Sequence, residues 1–316
     1  MNTAQTFTIG LVQRSCSEDR AKNVARALEG VREAASRGAQ IVCLQEMFNA
    51  TYFCKREDFD LFDIAEPILG PDTGPTVLAC QDEAKKLGVV IVAPIFERRA
   101  PGLYHNSAAV IDADGELLGV YRKMTIPDDP MYYEKFYFTP GDAVEPAPGT
   151  AKKCSAASGY RVWHTRFAKV GVLICWDQWY PENARVTALL GAEVIFYPTA
   201  IGWRPEERAE FGEDHREGWR TVQRAHAVSN ELFVAAVNRT GHESEPGTSG
   251  IDFFGSSFVA DPFGRVVAEG PTHEEAVIVH ACDRTLIDKT RRHWPFFRDR
   301  RVDAFGPLTE RWIGNG

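Results

Sequence analysis

Two short apolar runs, each ended abruptly by a polar residue, organise this chain. Ile41-Val42-Cys43-Leu44 stops at Gln45-Glu46, and Val170-Gly171-Val172-Leu173-Ile174 stops at Cys175. Such runs, bounded by turn residues, read as buried strands. Around them the pattern switches between two periods. Residues 7–13 form a first strand. Val24, Leu28, Val31 and Ala35 then recur at helical spacing, and Gly38 ends that helix. A helix over 75–87 is closed by Gly88, and a strand over 89–96 follows. Segments 107–112 and 116–122 flank Ala113-Asp114-Gly115, a hairpin signature. The second half repeats the order. A strand reaches Cys175, a helix spans 181–190 before Gly191, and strands over 194–197 and 232–237 enclose a helix over 219–230. A hairpin of 257–260 and 265–268 turns at Asp261-Pro262-Phe263-Gly264.

Strands rich in Val and Ile need cover on both faces. The expected fold is therefore α/β, with two similar halves whose sheets pack face to face and carry helices outside. No linker rich in Pro, Gly or Ser separates the halves, so 1–316 reads as a single domain. The tail from about 291 to 316 opens Arg291-Arg292-His293-Trp294-Pro295-Phe296-Phe297 and has no clear period. Its large apolar groups are expected to cover the body or a neighbouring subunit.

Composition narrows the picture. Hydrophobic content of 44% and 25% charged residues are ordinary for a globular protein. A net charge of −8 without a basic block argues against nucleic acid as a partner. No run is long enough for a membrane span, and the N-terminus leads into a strand without a signal peptide. Seven cysteines at irregular spacing, none in a C-x-x-C pair, argue against structural zinc and for a reducing cytoplasm.

The chemistry starts at Cys175. A thiol on a sharp turn between a strand and a helix, with Pro181 at the helix start, has the geometry of an activated nucleophile. A helix N-terminus beside it would favour thiolate. Taken alone, a strand-end cysteine more often only packs. A nucleophilic thiol needs a base, and none of the eight histidines stands in an evident relation to it. Glu46 fits better, since it holds the matching strand-end position in the first half. A carboxylate at the edge of an apolar sheet is partly desolvated and binds its proton more tightly. Lys123 follows the strand over 116–122, where a fixed ammonium could stabilise an oxyanion. Each residue alone would pass for a solvated surface group.

Together the three resemble something specific. Leu44-Gln45-Glu46, Tyr121-Arg122-Lys123 and segment 171–182 are similar to the catalytic motifs of the nitrilase (carbon-nitrogen hydrolase) superfamily, and the resemblance covers nearly the whole chain. It implies a four-layer α-β-β-α sandwich and a homo-oligomer, with neither metal nor organic cofactor. It also implies Cys175 as nucleophile, Glu46 as general base and acid, Lys123 as oxyanion stabiliser, and Glu134 as a second glutamate that orients the site. Segments 126–130, 133–142, 175–182, 196–202 and 250–258 further resemble the N-carbamoylputrescine amidase branch. That implies hydrolysis of N-carbamoylputrescine to putrescine, carbon dioxide and ammonia through a carbamoyl thioester. Other carbamoyl amines, a β-ureido acid, a linear amide, or a binding protein without turnover remain alternatives.

Substrate charge has its own signal. The loops over 128–134 and 176–180 mix acids with aromatic rings, which suits a small cationic ligand. Asp129, Tyr133, Trp176, Asp177 and Trp179 are the expected substrate contacts. A carboxylate-bearing substrate would want arginine, and the turn after Cys175 offers none before Arg185. Two features depart from the family pattern. Residues 145–158 look like an insertion, and Met131 stands where glycine is expected.

Overall fold

The computed structural model describes residues 4–143 and 153–314. The first half runs β1 (Thr6–Gln13), α1 (Arg20–Ser36), β2 (Ile41–Leu44), α2 (Pro75–Leu87), β3 (Val90–Ala100), β4 (Leu103–Ile111) and β5 (Leu117–Arg122), then a short α3 (Glu134–Tyr137). The second half runs β6 (Cys154–Ala157), β7 (Tyr160–His164), β8 (Lys169–Val172), α4 (Pro181–Leu189), β9 (Val194–Thr199), β10 (Gly202–Trp203), α5 (Pro205–Phe211) and α6 (Glu213–Asn230). It continues with β11 (Phe233–Asn238), β12 (Thr240–Glu243), β13 (Ile251–Phe254), β14 (Phe258–Ala260), β15 (Val266–Glu269), β16 (Ala276–Asp283) and α7 (Arg284–His293).

Period-two burial makes the layers. In β1, Phe7, Ile9 and Leu11 face one core, while Val12 joins Ala27, Leu28 and Val31 of α1 in another. The first core lies between two sheets, ordered β16-β1-β2-β3-β4-β5 and β15-β14-β11-β9-β8-β7-β6. Phe7 meets Phe233 of the opposite sheet edge-on, with centroids 6.0 Å apart. Helices α1 and α2 cover the first sheet, and α4 and α6 the second. Gly30 permits the close approach of α1, because a Cβ there would stand 2.6 Å from Val12. The α-β-β-α sandwich is the expected one.

Several elements differ from the sequence reading. A third sheet, β10-β13-β12, was not anticipated, nor was the β6–β7 pair. Their strands are short or rich in polar residues, so alternation is weak. Strand β16 was missed for a similar reason: its apolar run ends at His280. It pairs along its whole length with β1, from Thr6 opposite Asp283 to Gln13 opposite Ala276. The expected insertion lies partly outside the described residues, and its last part forms β6 against β7.

Past α7 the chain runs over the surface. The Phe297 ring lies under the guanidinium groups of Arg185 and Arg291, at 5.1 and 4.9 Å. Trp294 packs edge-on to Phe263, while Trp312 and Ile313 are exposed. Among the described residues no helix is long and apolar enough to cross a membrane.

Candidate active site

Strand ends deliver the polar groups. Glu46 lies two residues past β2, Lys123 directly follows β5, Cys175 lies three residues past β8, and Glu134 opens α3. Glu46, Lys123 and Glu134 are fully buried, and Cys175 nearly so. Burial of bare charges is costly unless they are paired, and here they are. Lys123 Nζ donates to Glu46 Oε1 at 3.0 Å and to Glu134 Oε2 at 2.6 Å. Asn106 Nδ2 donates to Glu46 Oε1 at 2.7 Å, and Tyr52 Oη to Glu134 Oε1 at 2.8 Å. Glu46 Oε2 is buried without a hydrogen-bond partner among the described residues. That oxygen is a carboxylate acceptor with nothing to accept.

The electrostatics follow from crowding. Burial alone would make Lys123 easier to deprotonate, but Glu134 and Glu46 outweigh it and hold the ammonium well above its usual range. Burial raises the Glu134 carboxyl, against the pull of Lys123. Burial also pushes the Cys175 thiol well above its ordinary value; Glu46 pushes the same way, while Lys123 and a backbone hydrogen bond from Ala200 oppose it. The thiol is therefore protonated at neutral pH and needs an acceptor to react. This corrects the expectation of a thiolate favoured by a helix N-terminus. Cys175 opens a 3-10 turn over Cys175–Trp179, and α4 begins only at Pro181.

The turn itself is held hard. Cys175 has φ of 43° and Met47, beside Glu46, has φ of 48°. L-residues adopt that region only when their surroundings impose it, at a cost of about 1–3 kcal/mol. Asp177 is what imposes it at Cys175. Its Oδ2 accepts from Ile174 N at 2.9 Å and Tyr121 Oη at 2.8 Å, and its Oδ1 from Thr125 N at 2.9 Å and from the Thr125 hydroxyl. On the Glu46 side the brace is Arg239. Its Nη2 donates to the carbonyls of Glu46 and Met47 at 3.0 and 2.9 Å, and its Nη1 to Glu243 Oε1 at 2.6 Å.

Cys175 and Glu134 open onto a cavity of about 300 Å³. Asp129, Trp176 and Trp179 stand in its wall, where the sequence placed them. Asp177 does not: it is fully buried and spent on the turn. Tyr133 does not either. A tight turn closes with Tyr132 N on Asp129 O at 2.7 Å, and Met131 takes φ of 65°, a glycine-favouring value at the position where glycine was expected. The turn presents Tyr132 to the cavity instead. Arg204 and Glu207 also line the wall, so an arginine is present after all, supplied by the connection from β10 to α5. His215 lines it too, and burial holds its imidazole below the usual pKa. His226 and His105 are bonded elsewhere, to the carbonyls of Gln178 and Thr139, each at 2.7 Å. A larger cleft of about 710 Å³ reaches Cys16, Lys55 and Glu243. Its buried ammonium is already paired with Glu243 and Glu245, at 3.3 and 3.5 Å, so the chemistry belongs to the smaller cavity. Among the described residues no cluster of His, Cys, Asp and Glu could hold a metal ion.

A buried acid, ammonium and thiol at the strand ends of two packed sheets define a class. The chain belongs to the carbon-nitrogen hydrolase family, whose profile matches residues 8–292, and it is a hydrolase of carbon–nitrogen bonds in linear amides. Over 95% of its length it is 45% identical to an N-carbamoylputrescine amidase of Arabidopsis thaliana, covering 94% of that protein. It is 38% identical to a citrullinase of Francisella tularensis, over 96% of this chain and 98% of that one. The crystal structure of a carbon-nitrogen hydrolase from Helicobacter pylori superposes with a TM-score of 0.87 at 39% identity, covering 98% of this chain and 100% of the other.

Proposed function

We propose that this chain hydrolyses N-carbamoylputrescine to putrescine, carbon dioxide and ammonia, with Cys175 as nucleophile. The observation that carries this reading is the unpartnered Oε2 of Glu46, whose other oxygen, Oε1, is held by Lys123 and Asn106, in the cluster that surrounds a protonated Cys175 thiol. Glu46 takes the thiol proton as sulfur attacks the ureido carbon. The C=O bond opens to an oxyanion, which the Lys123 ammonium stabilises. Collapse breaks a C–N bond, and Glu46 returns its proton to the leaving amine, which would otherwise depart poorly. Water, deprotonated by Glu46, then cleaves the carbamoyl thioester to carbamate, which falls apart to carbon dioxide and ammonia. Glu134 orients Lys123, and Asp129, Trp176 and Trp179 receive the far end of the substrate.

The similarity to plant N-carbamoylputrescine amidases supports this substrate. Citrulline is a second reading. It is N-carbamoylputrescine with a carboxylate on the carbon that bears the amine, and Arg204 in the wall favours it. Mass spectrometry of enzyme quenched during turnover is expected to find a carbamoyl adduct on Cys175. An unmodified thiol, with amine released at full rate, refutes covalent catalysis.

Two further parts of the reading are assembly and location. Exposed Trp312, Ile313 and Leu308 on the tail support contact with a second copy, which light scattering would detect as a mass above the monomer's 35.3 kDa. All seven cysteines are free, which fits a reducing cytoplasm.

A further inference from the structure

The core between the sheets holds one amide that packing does not account for. Asn106 lies in β4 and is fully buried. At period two it shares a strand face with Ala108 and Val110, which belong to that core. Its Nδ2 donates to Glu46 Oε1 at 2.7 Å, while its Oδ1 is buried without a hydrogen-bond partner among the described residues. A leucine of similar size would fill the space and strand no acceptor. The same residue also holds the backbone of the ammonium: its main-chain carbonyl accepts from Lys123 N at 2.9 Å.

The two oxygens of Glu46 are loaded unequally. Oε1 accepts from Lys123 Nζ and from Asn106 Nδ2, and Oε2 accepts from no described residue. Of the two bonds on Oε1, the one from Asn106 is the shorter. The ammonium itself leans towards Glu134, at 2.6 Å against 3.0 Å for Glu46. Both lone pairs of Oε1 are thereby taken, and an arriving proton has Oε2 left to it. When the proton binds there, Oε1 becomes a carbonyl oxygen that still accepts both bonds. The amide need not move during the transfer.

Resting on the general-base reading of Glu46 above, we infer that Asn106 is a positioning residue for the reaction: it occupies Oε1 so that the thiol and water protons arrive at Oε2, and it keeps Glu46 and Lys123 in register. The charged groups that face Glu46 are Lys123, Glu134 and Arg239, and the neutral titratable ones are Cys175, Tyr52, Cys54 and Tyr132. Removing Asn106 changes none of these charges. It takes one donor from the ionised carboxylate and nothing else from the charge balance.

The test is steady-state kinetics of the full-length enzyme on N-carbamoylputrescine as a function of pH, for wild type, Asn106→Leu, Asn106→Ala and Glu46→Gln. Asn106→Leu is expected to lower kcat by about 10- to 100-fold, the loss of one hydrogen bond to a charged group. KM is expected to change less than about threefold, since the lost bond acts on the reacting proton and not on substrate binding. The acid limb of kcat/KM is expected to move up by about one pH unit, because a carboxylate stripped of a donor takes up its proton more readily. The melting midpoint is expected to stay near the parent's, because the orphaned Oδ1 leaves together with the donor. Asn106→Ala is expected to move the acid limb in the same direction, which keeps the test open if the leucine variant does not fold. An acid limb that stays in place in a folded variant, or a parent-like kcat, overturns this inference. So does a loss of kcat that merely follows a loss of melting midpoint. Glu46→Gln is expected to be inactive at every pH, and with that result an unmoved limb removes only the role of Asn106. Appreciable turnover by Glu46→Gln removes the general-base reading and this inference with it.

Discussion

The floor and the outer wall of the cavity are built on different terms. At the floor and beneath it, Glu134, Glu46 and Lys123 are fully buried, each bonded to a second member or to Asn106 or Tyr52. On the wall, Arg204 and Glu207 are partly exposed and bonded to each other, Arg204 just before α5 and Glu207 in its first turn. Removing one partner from a buried charge cluster strands the others, whereas a half-exposed pair contributes little to stability. The floor is thus committed to one reaction, and the wall is free to vary with the substrate.

The largest effect expected from breaking this division is Cys175→Ala. It is expected to lower activity by at least about 10³-fold while circular dichroism and the melting midpoint stay near the parent's. Appreciable turnover by that variant would mean that the floor's thiol is not the nucleophile. Lys123→Met comes next. It leaves Glu46 and Glu134 facing each other without the ammonium, and urea denaturation is expected to show a loss of about 3–5 kcal/mol along with activity. An unchanged midpoint would show that the floor is not held by that charge.

The pH dependence of the thiol sharpens the same contrast. Because the Cys175 pKa is raised, chiefly by burial, thiolate is scarce at neutral pH and gains about tenfold per pH unit below that pKa. Alkylation of Cys175 by iodoacetamide is expected to climb through pH 9 without levelling, and a plateau below pH 8 would show Lys123 outweighing burial. The smallest effect belongs to the wall. Asp129→Asn is expected to raise KM for N-carbamoylputrescine by roughly three- to tenfold with no change in melting midpoint. A stability loss there would make the wall structural after all.

The same contrast governs what could be read from the chain. Glu46, Lys123 and Cys175 each close a strand with an apolar pattern, which marks them as candidates, but only their joint resemblance to the family motifs singles them out. Glu134 was legible only through resemblance, since a four-residue helix leaves almost no periodic signal. Asn106 had a signal that went unread. His105-Asn106-Ser107 are consecutive polar residues in a strand that is otherwise apolar, and all are fully buried, as a strand facing a charged site would require. Arg239 looked like any arginine after a strand, because its partners are carbonyls that a sequence does not display. Tyr133 and Asp177 were misplaced because residue type says nothing about which way a side chain leaves a tight turn. Arg204 was invisible in the segment around Cys175 because the wall there is completed by a later connection.

The last strand of the second half, lying along the edge of the first sheet, has a consequence for synthesis. During translation β1 emerges long before its partner, so the first sheet keeps an open border until residue 283 has left the ribosome. An unpaired border of that kind is a template for adhesion between chains. A nascent polypeptide cut short before residue 276 would carry Glu46, Lys123, Glu134 and Cys175, yet its first sheet could not close.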